Sequence, residues 1–481
     1  MFERVSGWGL SRGLRLGLVM GVVGLLGGVC SSAAASVEEL RARIGVILNG
    51  VDQADITVAA RVVDLETGRV IYEQNADRPV KPASNLKLLV TAAALDKWGS
   101  GARLATDLYV AGDDLVVVGT GDPAFGDLTI MQDQGRTMLA GFDDWVDALK
   151  ERGITEIKGD LVYNDGALGD EWLSPTWSRG NLVHWYGAPS AGLNLNNNCI
   201  DIVVEPIEGR EDGVGRVSYL PEAAMIRVEN RTGGEGRLRV DKVPGEHVYI
   251  VTGKVERTRT FYKPVDDPGR FFAEALMAHL ARRGIDVRGG IVAGSELAGA
   301  YTRLGRHETD VVPVLRRINS NSQNMMADGV LRMIFPGQTY QEAGLGLVAY
   351  LEEVKGLPVG GVEVWDGSGL SHDNRVTTGF VSELLVTMAG HEEAGVYYDS
   401  LAIAGERGSL RNRMKAVAGK VQGKTGTISG VRASSGYIET EEGRRVVYSL
   451  IYNDIASGKA GAAIGAMDEV CVLIQGWEAW D

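Results

Sequence analysis

The segment Pro82-Ala83-Ser84-Asn85-Leu86-Lys87 opens the part of the chain that decides its fold. A serine is followed three residues later by a lysine, and apolar residues with helical spacing continue to Trp98. Positions three apart share one face of a helix, so the hydroxyl of Ser84 and the amine of Lys87 are predicted to lie together. A lysine whose pKa is lowered by burial can activate such a serine as a nucleophile. Taken alone, the pair also fits a helix-capping serine followed by a solvated lysine.

A second motif, Ser322-Gln323-Asn324, has the pattern S-x-N. A second hydroxyl can pass a proton towards a leaving amine, and the amide of Asn324 can hold a lysine or a substrate carbonyl. The alternative is helix capping, because Asn319, Ser320 and Ser322 all precede an apolar stretch that predicts a helix.

A third motif, Lys424-Thr425-Gly426-Thr427, precedes a predicted strand and is expected on an edge strand beside a cleft. Lys424 would offer positive charge to a substrate carboxylate, Thr425 would hydrogen-bond to it, and Gly426 would let the backbone approach the ligand. A backbone N–H of this strand, together with that of Ser84, could form an oxyanion hole. The alternative is a basic turn before a strand.

The three motifs occur once each and in this order, which is the signature of active-site serine penicillin-recognising enzymes. From about residue 40 to the C-terminus the chain resembles the class C low-molecular-mass penicillin-binding proteins, which are D-alanyl-D-alanine carboxypeptidases/endopeptidases. Further segments that carry the resemblance are Gly119-Thr120-Gly121-Asp122-Pro123, Tyr186-Gly187-Ala188-Pro189, Asn319 to Asp328, Asp366-Gly367-Ser368-Gly369-Leu370-Ser371 and Gly423 to Thr427.

The resemblance implies a mixed α/β (α+β) fold with a penicillin-binding, β-lactamase-like serine transpeptidase core. Ser84 and Ser322 are 238 positions apart (322 − 84), which leaves room for an insertion of about 200 residues. The core is expected from residues 36–105 and 301–481. A mostly β inserted domain II is expected from 106–199 and 259–300, with a nested domain III at 200–258.

The resemblance also implies a mechanism. Ser84 would be acylated by the penultimate D-Ala carbonyl of a peptidoglycan stem peptide, with Lys87 as the general base. Ser322 and Asn324 would form the second catalytic element. Water would then hydrolyse the acyl-enzyme, whereas β-lactams would acylate Ser84 and be released slowly.

Substrate binding follows from the same resemblance. Lys424 and Thr425 would bind the terminal carboxylate, and the N–H groups of Ser84 and Thr427 would form the oxyanion hole. Family members often carry an arginine where this chain has His372. Whether the protein prefers substrates with a free diaminopimelate carboxylate is therefore open. A protonated His372 could bind that carboxylate, but an imidazole titrates near the working pH. An ordinary loop histidine is the alternative.

Composition excludes several other classes of function. The chain has 481 residues, 44% of them hydrophobic, as in ordinary globular proteins. A net charge of −14 disfavours generic nucleic-acid binding. Three cysteines rule out a disulfide scaffold, and Cys199 and Cys471 are either paired or two separate buried thiols. No zinc-ligand spacing or dinucleotide fingerprint is present, so we expect no metal or cofactor.

Residues 1–35 are predicted to be a secretory signal peptide. Arg4, Arg12 and Arg15 precede the apolar run 16–29, and small residues at 33–35 offer a cleavage site. We therefore expect a periplasmic or otherwise exported protein without a transmembrane anchor in its mature chain. An uncleaved anchor helix is the alternative.

Two other functions are compatible with parts of the sequence. A β-lactamase-like hydrolase is disfavoured by the long insertion, and a non-catalytic peptidoglycan-binding scaffold is disfavoured by the intact motif set. The balance between carboxypeptidase and endopeptidase action stays open at this point, because both cut a bond that follows D-Ala.

Overall fold

The computed structural model describes residues 36–52, 54–294, 301–337 and 339–480, so the predicted signal peptide lies outside the described residues. The strands are β1 (Thr57–Asp64), β2 (Val70–Gln74), β3 (Arg103–Ala111), β4 (Asp114–Gly119), β5 (Glu156–Ile157), β6 (Leu161–Asn164), β7 (Cys199–Pro206), β8 (Gly215–Leu220), β9 (Arg227–Arg237), β10 (Arg239–Lys242), β11 (Val248–Lys254), β12 (Arg259–Pro264), β13 (Asp286–Val287), β14 (Ile291–Ala293), β15 (Tyr301–Asp310), β16 (Ala402–Ile403), β17 (Val421–Ile428), β18 (Val431–Glu439) and β19 (Arg445–Asn453). The helices are α1 (Val37–Asn49), α2 (Lys87–Trp98), α3 (Leu128–Asp133), α4 (Ala140–Glu151), α5 (Pro268–Arg282), α6 (Val311–Asn319), α7 (Asn324–Ile334), α8 (Tyr340–Glu353), α9 (Thr378–Ala389), α10 (Ala394–Ser400) and α11 (Ala460–Gln475).

A six-stranded sheet in the order β16-β17-β18-β19-β1-β2 lies between two layers of helices. Successive side chains of a strand point to opposite faces. Along β19, Tyr448 and Leu450 accordingly join a core cluster with α1 and α11, whereas Val447 and Ile451 join a second cluster with α2, α7 and α9. Burial on both faces explains why the sequence of β19 is apolar almost throughout.

The segment between α2 and α6 is mostly β. It contains the five-stranded sheet β14-β6-β4-β3-β15 and the three-stranded sheets β12-β7-β8 and β10-β11-β9. A separate aromatic core packs Phe125, Phe142, Trp145 and Phe272 together. The mixed α/β fold is confirmed. The division into domains II and III stays a prediction, and β15 pairs with β3, so this sheet extends to Asp310, past the expected boundary at residue 300.

Two segments of the β-rich part are irregular. The segment 157–163 is divided between β5 and β6, because the chain turns where the N–H of Gly159 donates to the carbonyl of Asp113. The glycine-rich run 231–237 ends β9, which pairs in parallel with β11 through Thr232 and again at Arg237, so residues 233–236 form a bulge between these two pairs. Gly233, Gly234 and Gly236 all have positive φ, as in a turn.

Cys199 and Cys471 are both buried free thiols. Cys199 packs with Ala188 and Met325, and Cys471 lies in the α1–α11 cluster. Within the described ranges, no helix is long and apolar enough to cross a membrane. The same ranges contain no group of three or more His, Cys, Asp or Glu side chains that could hold a metal ion.

The packing of α1 gives a first prediction. Ile44 is fully buried under the sheet, whereas Val46 on the same helix is 76% exposed. Ile44→Ala should lower the free energy of unfolding by about 2–5 kcal/mol, as expected for a large-to-small change in a core. Urea denaturation followed by circular dichroism measures this change. Val46→Ala is the matched control, and equal losses in the two variants would contradict the packing described.

Candidate active site

The turn that carries Ser84 is held in an unusual backbone conformation. Ala83 has φ of 47°, in the left-handed region that residues with a side chain rarely adopt, and Ala83–Leu86 then form a 3-10 turn leading into α2. This places Ser84 one turn before the helix and makes Lys87 its first residue. Lys87 Nζ lies 3.1 Å from Ser84 Oγ.

Lys87 is fully buried and its amine has three oxygen partners. Besides the hydroxyl of Ser84, its Nζ donates to Asn324 Oδ1 at 2.7 Å and to the backbone carbonyl of Ser368. Burial lowers the pKa of Lys87 to about 8, against the opposing effect of the carboxyls of Asp328 and Asp366. A neutral amine is thus accessible near neutral pH, directly beside a serine hydroxyl.

Two buried carboxyls fix the loop that carries Ser368. Asp328 on α7 accepts hydrogen bonds from the N–H groups of Gly367 and Ser368, at 2.7 and 2.9 Å. Asp366 accepts from the N–H of Gly369 and from the indole of Trp177, both at 2.7 Å. Burial raises the pKa of Asp328 well above its usual range, and the neighbouring Asp366 adds to the shift.

Gly369 brings this loop against the nucleophile turn. It has φ of +78°, and a Cβ at this position would collide with the carbonyl oxygen of Ala83. Only glycine therefore permits the contact. The loop and the turn are packed backbone to backbone, which sets the position of the Ser368 carbonyl relative to Lys87.

The S-x-N motif lies on the other side of Ser84. Ser322 has φ of 62°, and Asn324 is the first residue of α7. The side-chain amide of Asn324 has two partners. Its Oδ1 accepts from Lys87 Nζ, and its Nδ2 donates to the backbone carbonyl of Tyr186 at 2.8 Å. Asn324 therefore connects the lysine to the segment 185–187 of the mostly β region.

Lys424 connects the second and third motifs. Its Nζ donates to Ser322 Oγ at 2.9 Å and to the carbonyl of Thr425 at 2.7 Å. It is fully buried, and burial together with the charge of Lys87 lowers its pKa well below the usual range. A bound carboxylate would favour the ammonium form again.

The third motif lies on β17, close to the predicted edge position. The two-residue strand β16 pairs with Gln422 and Gly423 only, so the following residues of β17 border the cleft. A Cβ at Gly426 would lie 2.9 Å from the carbonyl oxygen of Pro82, so the missing side chain makes room for the nucleophile turn. The approach of a ligand to the Gly426 backbone stays a prediction.

A cleft of about 920 Å³ brings the predicted residues together. Ser84, Ser322, Asn324, Thr425, Thr427 and His372 all line it, and Trp185 and Tyr186 contribute to its wall. His372 is exposed at this cleft. Partial burial, followed by the charge of Lys81, lowers the pKa of His372, so its imidazole is mainly neutral at pH 7.

Sequence reasoning missed the supporting groups of the site. The carbonyls of Ser368 and Tyr186 and the carboxyls of Asp328 and Asp366 belong to segments that carried the resemblance, yet no role was assigned to them. Two are backbone atoms, which no residue type can signal. The two carboxylates had a signal, since acids in otherwise buried, glycine-rich or apolar segments need partners.

The chain has clear relatives among known proteins. Residues 40–472 match the sequence profile of the D-Ala-D-Ala carboxypeptidase 3 (S13) family. A D-alanyl-D-alanine carboxypeptidase from Actinomadura sp. (strain R39) is 28% identical, over 95% of this chain and 88% of its own length.

Solved structures share the fold. Penicillin binding protein 4 from Haemophilus influenzae aligns with a TM-score of 0.74 and 19% identity, over 90% of this chain and 99% of its own. A predatory peptidoglycan endopeptidase from Bdellovibrio bacteriovorus aligns with a TM-score of 0.51 and 16% identity, over 89% of this chain and 96% of its own.

The contact at Gly369 gives a second prediction. Gly369→Ala should slow covalent labelling by a penicillin by about a hundredfold or more, because displacing the nucleophile turn by about 1 Å is enough for such a loss. The labelling rate is measured with a fluorescent penicillin. Gly443→Ala is the matched control, since Gly443 has φ of +83° with open space around it. Equal rates in the two variants would show that the contact does not position Ser84.

Proposed function

This chain belongs to the D-Ala-D-Ala carboxypeptidase 3 (S13) family, and we propose that Ser84 is the nucleophile with which it cleaves peptidoglycan stem peptides ending in D-Ala-D-Ala. The single observation that carries the assignment is the cluster of Ser84, Lys87, Asn324 and the Ser368 carbonyl beside the cleft. In it, a buried lysine with a lowered pKa contacts a serine hydroxyl that reaches the cleft.

Acylation begins with proton transfer from Ser84 to the neutral amine of Lys87. The Ser84 oxygen attacks the carbonyl carbon of the penultimate D-Ala, and the N–H groups of Ser84 and Thr427 stabilise the oxyanion. The C–N bond then breaks. The proton that Lys87 took from Ser84 passes through Ser322 to the departing amine, and Ser322 Oγ accepts from Lys424 Nζ at 2.9 Å.

Lys424 and Thr425 bind the carboxylate of the leaving residue. Support comes from Thr425, which lines the cleft, and from Lys424 Nζ, which donates to Ser322 Oγ and to the Thr425 carbonyl. Burial lowers the pKa of Lys424, and an incoming carboxylate would raise this pKa again by favouring the ammonium form.

Water completes the cycle by hydrolysing the Ser84 ester, which releases a stem peptide that is one residue shorter. β-Lactams would acylate the same serine, in keeping with the name of the Haemophilus relative, penicillin binding protein 4. Peptidoglycan, the proposed substrate of this chain, lies outside the cytoplasm. We therefore propose that the chain is exported to the periplasm or cell surface and that its signal peptide is cleaved near Ala35.

His372 is proposed to contact the side chain of the stem peptide's diamino acid. Its lowered pKa makes it a neutral hydrogen-bonding group at pH 7 rather than a cation. Preference for a free diaminopimelate carboxylate should therefore be weak above pH 7 and grow as the pH falls.

The assignment of the nucleophile gives a third prediction. Ser84→Ala should abolish both covalent labelling by a fluorescent penicillin and release of D-Ala from a stem pentapeptide, because no acyl-enzyme can form. Ser178→Ala, which changes another serine of the same cleft, should keep both activities. Gel fluorescence measures the covalent labelling, and mass analysis of the products measures the release of D-Ala. Retained labelling in Ser84→Ala would disprove the assignment.

A further inference from the structure

A second cavity of about 680 Å³ borders the catalytic cleft. Trp185 and Asn321 line both cavities, so the two spaces meet at these side chains. Trp185 is 41% exposed at this junction. The volume lies within the range of about 300–1,000 Å³ that is typical of ligand sites. We name this second cavity the side groove.

The side groove borders the part of the active site that is proposed to hold the leaving residue. Along β17, the step from Thr427 to Thr425 leads away from the oxyanion position, and Thr425 Oγ1 donates to Ser409 Oγ at 2.7 Å. Arg411, two residues after Ser409, lines the side groove. Asn321, which also lines the side groove, is adjacent in sequence to Ser322, whose hydroxyl accepts from Lys424.

The lining of the side groove offers one available positive charge. Arg411 is exposed, and no carboxylate of the described residues lies within ion-pair distance of its guanidinium. Arg317, the other arginine of the groove, is paired with Asp127 at 2.9 Å. The remaining carboxyl, that of Asp201, accepts from the Asn196 amide at 2.8 Å.

Peptide-binding polar groups are also present. Asn197 Oδ1 is buried without a hydrogen-bond partner, although its Nδ2 donates to Asp127 at 2.8 Å. A buried acceptor without a partner is costly and suits an N–H supplied by a ligand. The amide side chains of Asn321 and Gln323 also line the groove.

A cross-linked stem peptide has the chemistry that this groove fits. In a cross-link the amine after D-Ala belongs to a diamino acid, which carries the carboxylate recognised by Lys424 and continues into a second stem peptide with further carboxylates. Acylation forms the Ser84–carbonyl bond, breaks the amide C–N bond and transfers the Ser84 proton to the departing amine. Free D-Ala is too short to extend past the carboxylate site.

We propose that the side groove binds the departing stem peptide of a cross-linked substrate and that Arg411 contacts one of its carboxylates. This inference rests on the proposed function, because it takes Lys424 and Thr425 as the site of the leaving residue's carboxylate. It assigns endopeptidase action to residues that carboxypeptidase action does not use.

Arg411→Gln separates the two activities. We expect KM for a purified D-Ala-to-diaminopimelate cross-linked dimer to rise about tenfold or more, because a hydrogen bond between charged groups is lost. D-Ala release from the monomeric pentapeptide and penicillin labelling should stay within about twofold. Lys415→Gln is the matched control, since it removes an exposed charge four residues away, outside the groove.

A second variant blocks the groove without removing a charge. Thr129 is exposed and lines the side groove, so Thr129→Trp should reduce dimer cleavage selectively by a similar factor. The inference is overturned if both variants leave dimer cleavage unchanged, if they reduce pentapeptide cleavage equally, or if the wild-type enzyme releases D-Ala but does not cleave the dimer. Failure to cleave either substrate or to label Ser84 would instead reject the proposed function.

Discussion

The buried amine of Lys87 is the constraint on which the rest of this site depends. An ammonium group is costly to remove from water, so a fully buried lysine needs oxygen partners, a lowered pKa or both. Lys87 has both, with Ser84 Oγ, Asn324 Oδ1 and the Ser368 carbonyl around it and a pKa of about 8. The same partners that make its burial tolerable also direct its amine at the nucleophile.

These partners come from distant parts of the chain. Ser84 is on a strained turn before α2, Asn324 begins α7, and Ser368 lies in a loop held by Asp328 and Asp366. Gly369 packs that loop against the nucleophile turn, and Asn324 is itself oriented by the carbonyl of Tyr186. The mostly β segment therefore reaches the catalytic core at the lysine's own ligand as well as at Asp366, which accepts from Trp177.

Much of this was predictable because it depends on local patterns. The helical spacing up to Trp98 predicted α2, the apolar stretch after Ser322 predicted α7, and the ordered motifs predicted a family that the profile match confirms. What could not be predicted depends on long-range backbone contacts. The pairing of Arg237 with β11 resumes β9 after a glycine-rich bulge, and the Ser368 carbonyl has no signature in residue type.

The most direct test of the account is the pH dependence of Ser84 acylation. It is measured as the single-turnover rate constant for acylation by a penicillin that is stable over the pH range tested. If neutral Lys87 is the base, the rate constant should be low at acidic pH and rise to a plateau with an apparent pKa of about 8. A rate constant that does not change with pH, or one that rises only near the ordinary lysine value of 10.5, would contradict it.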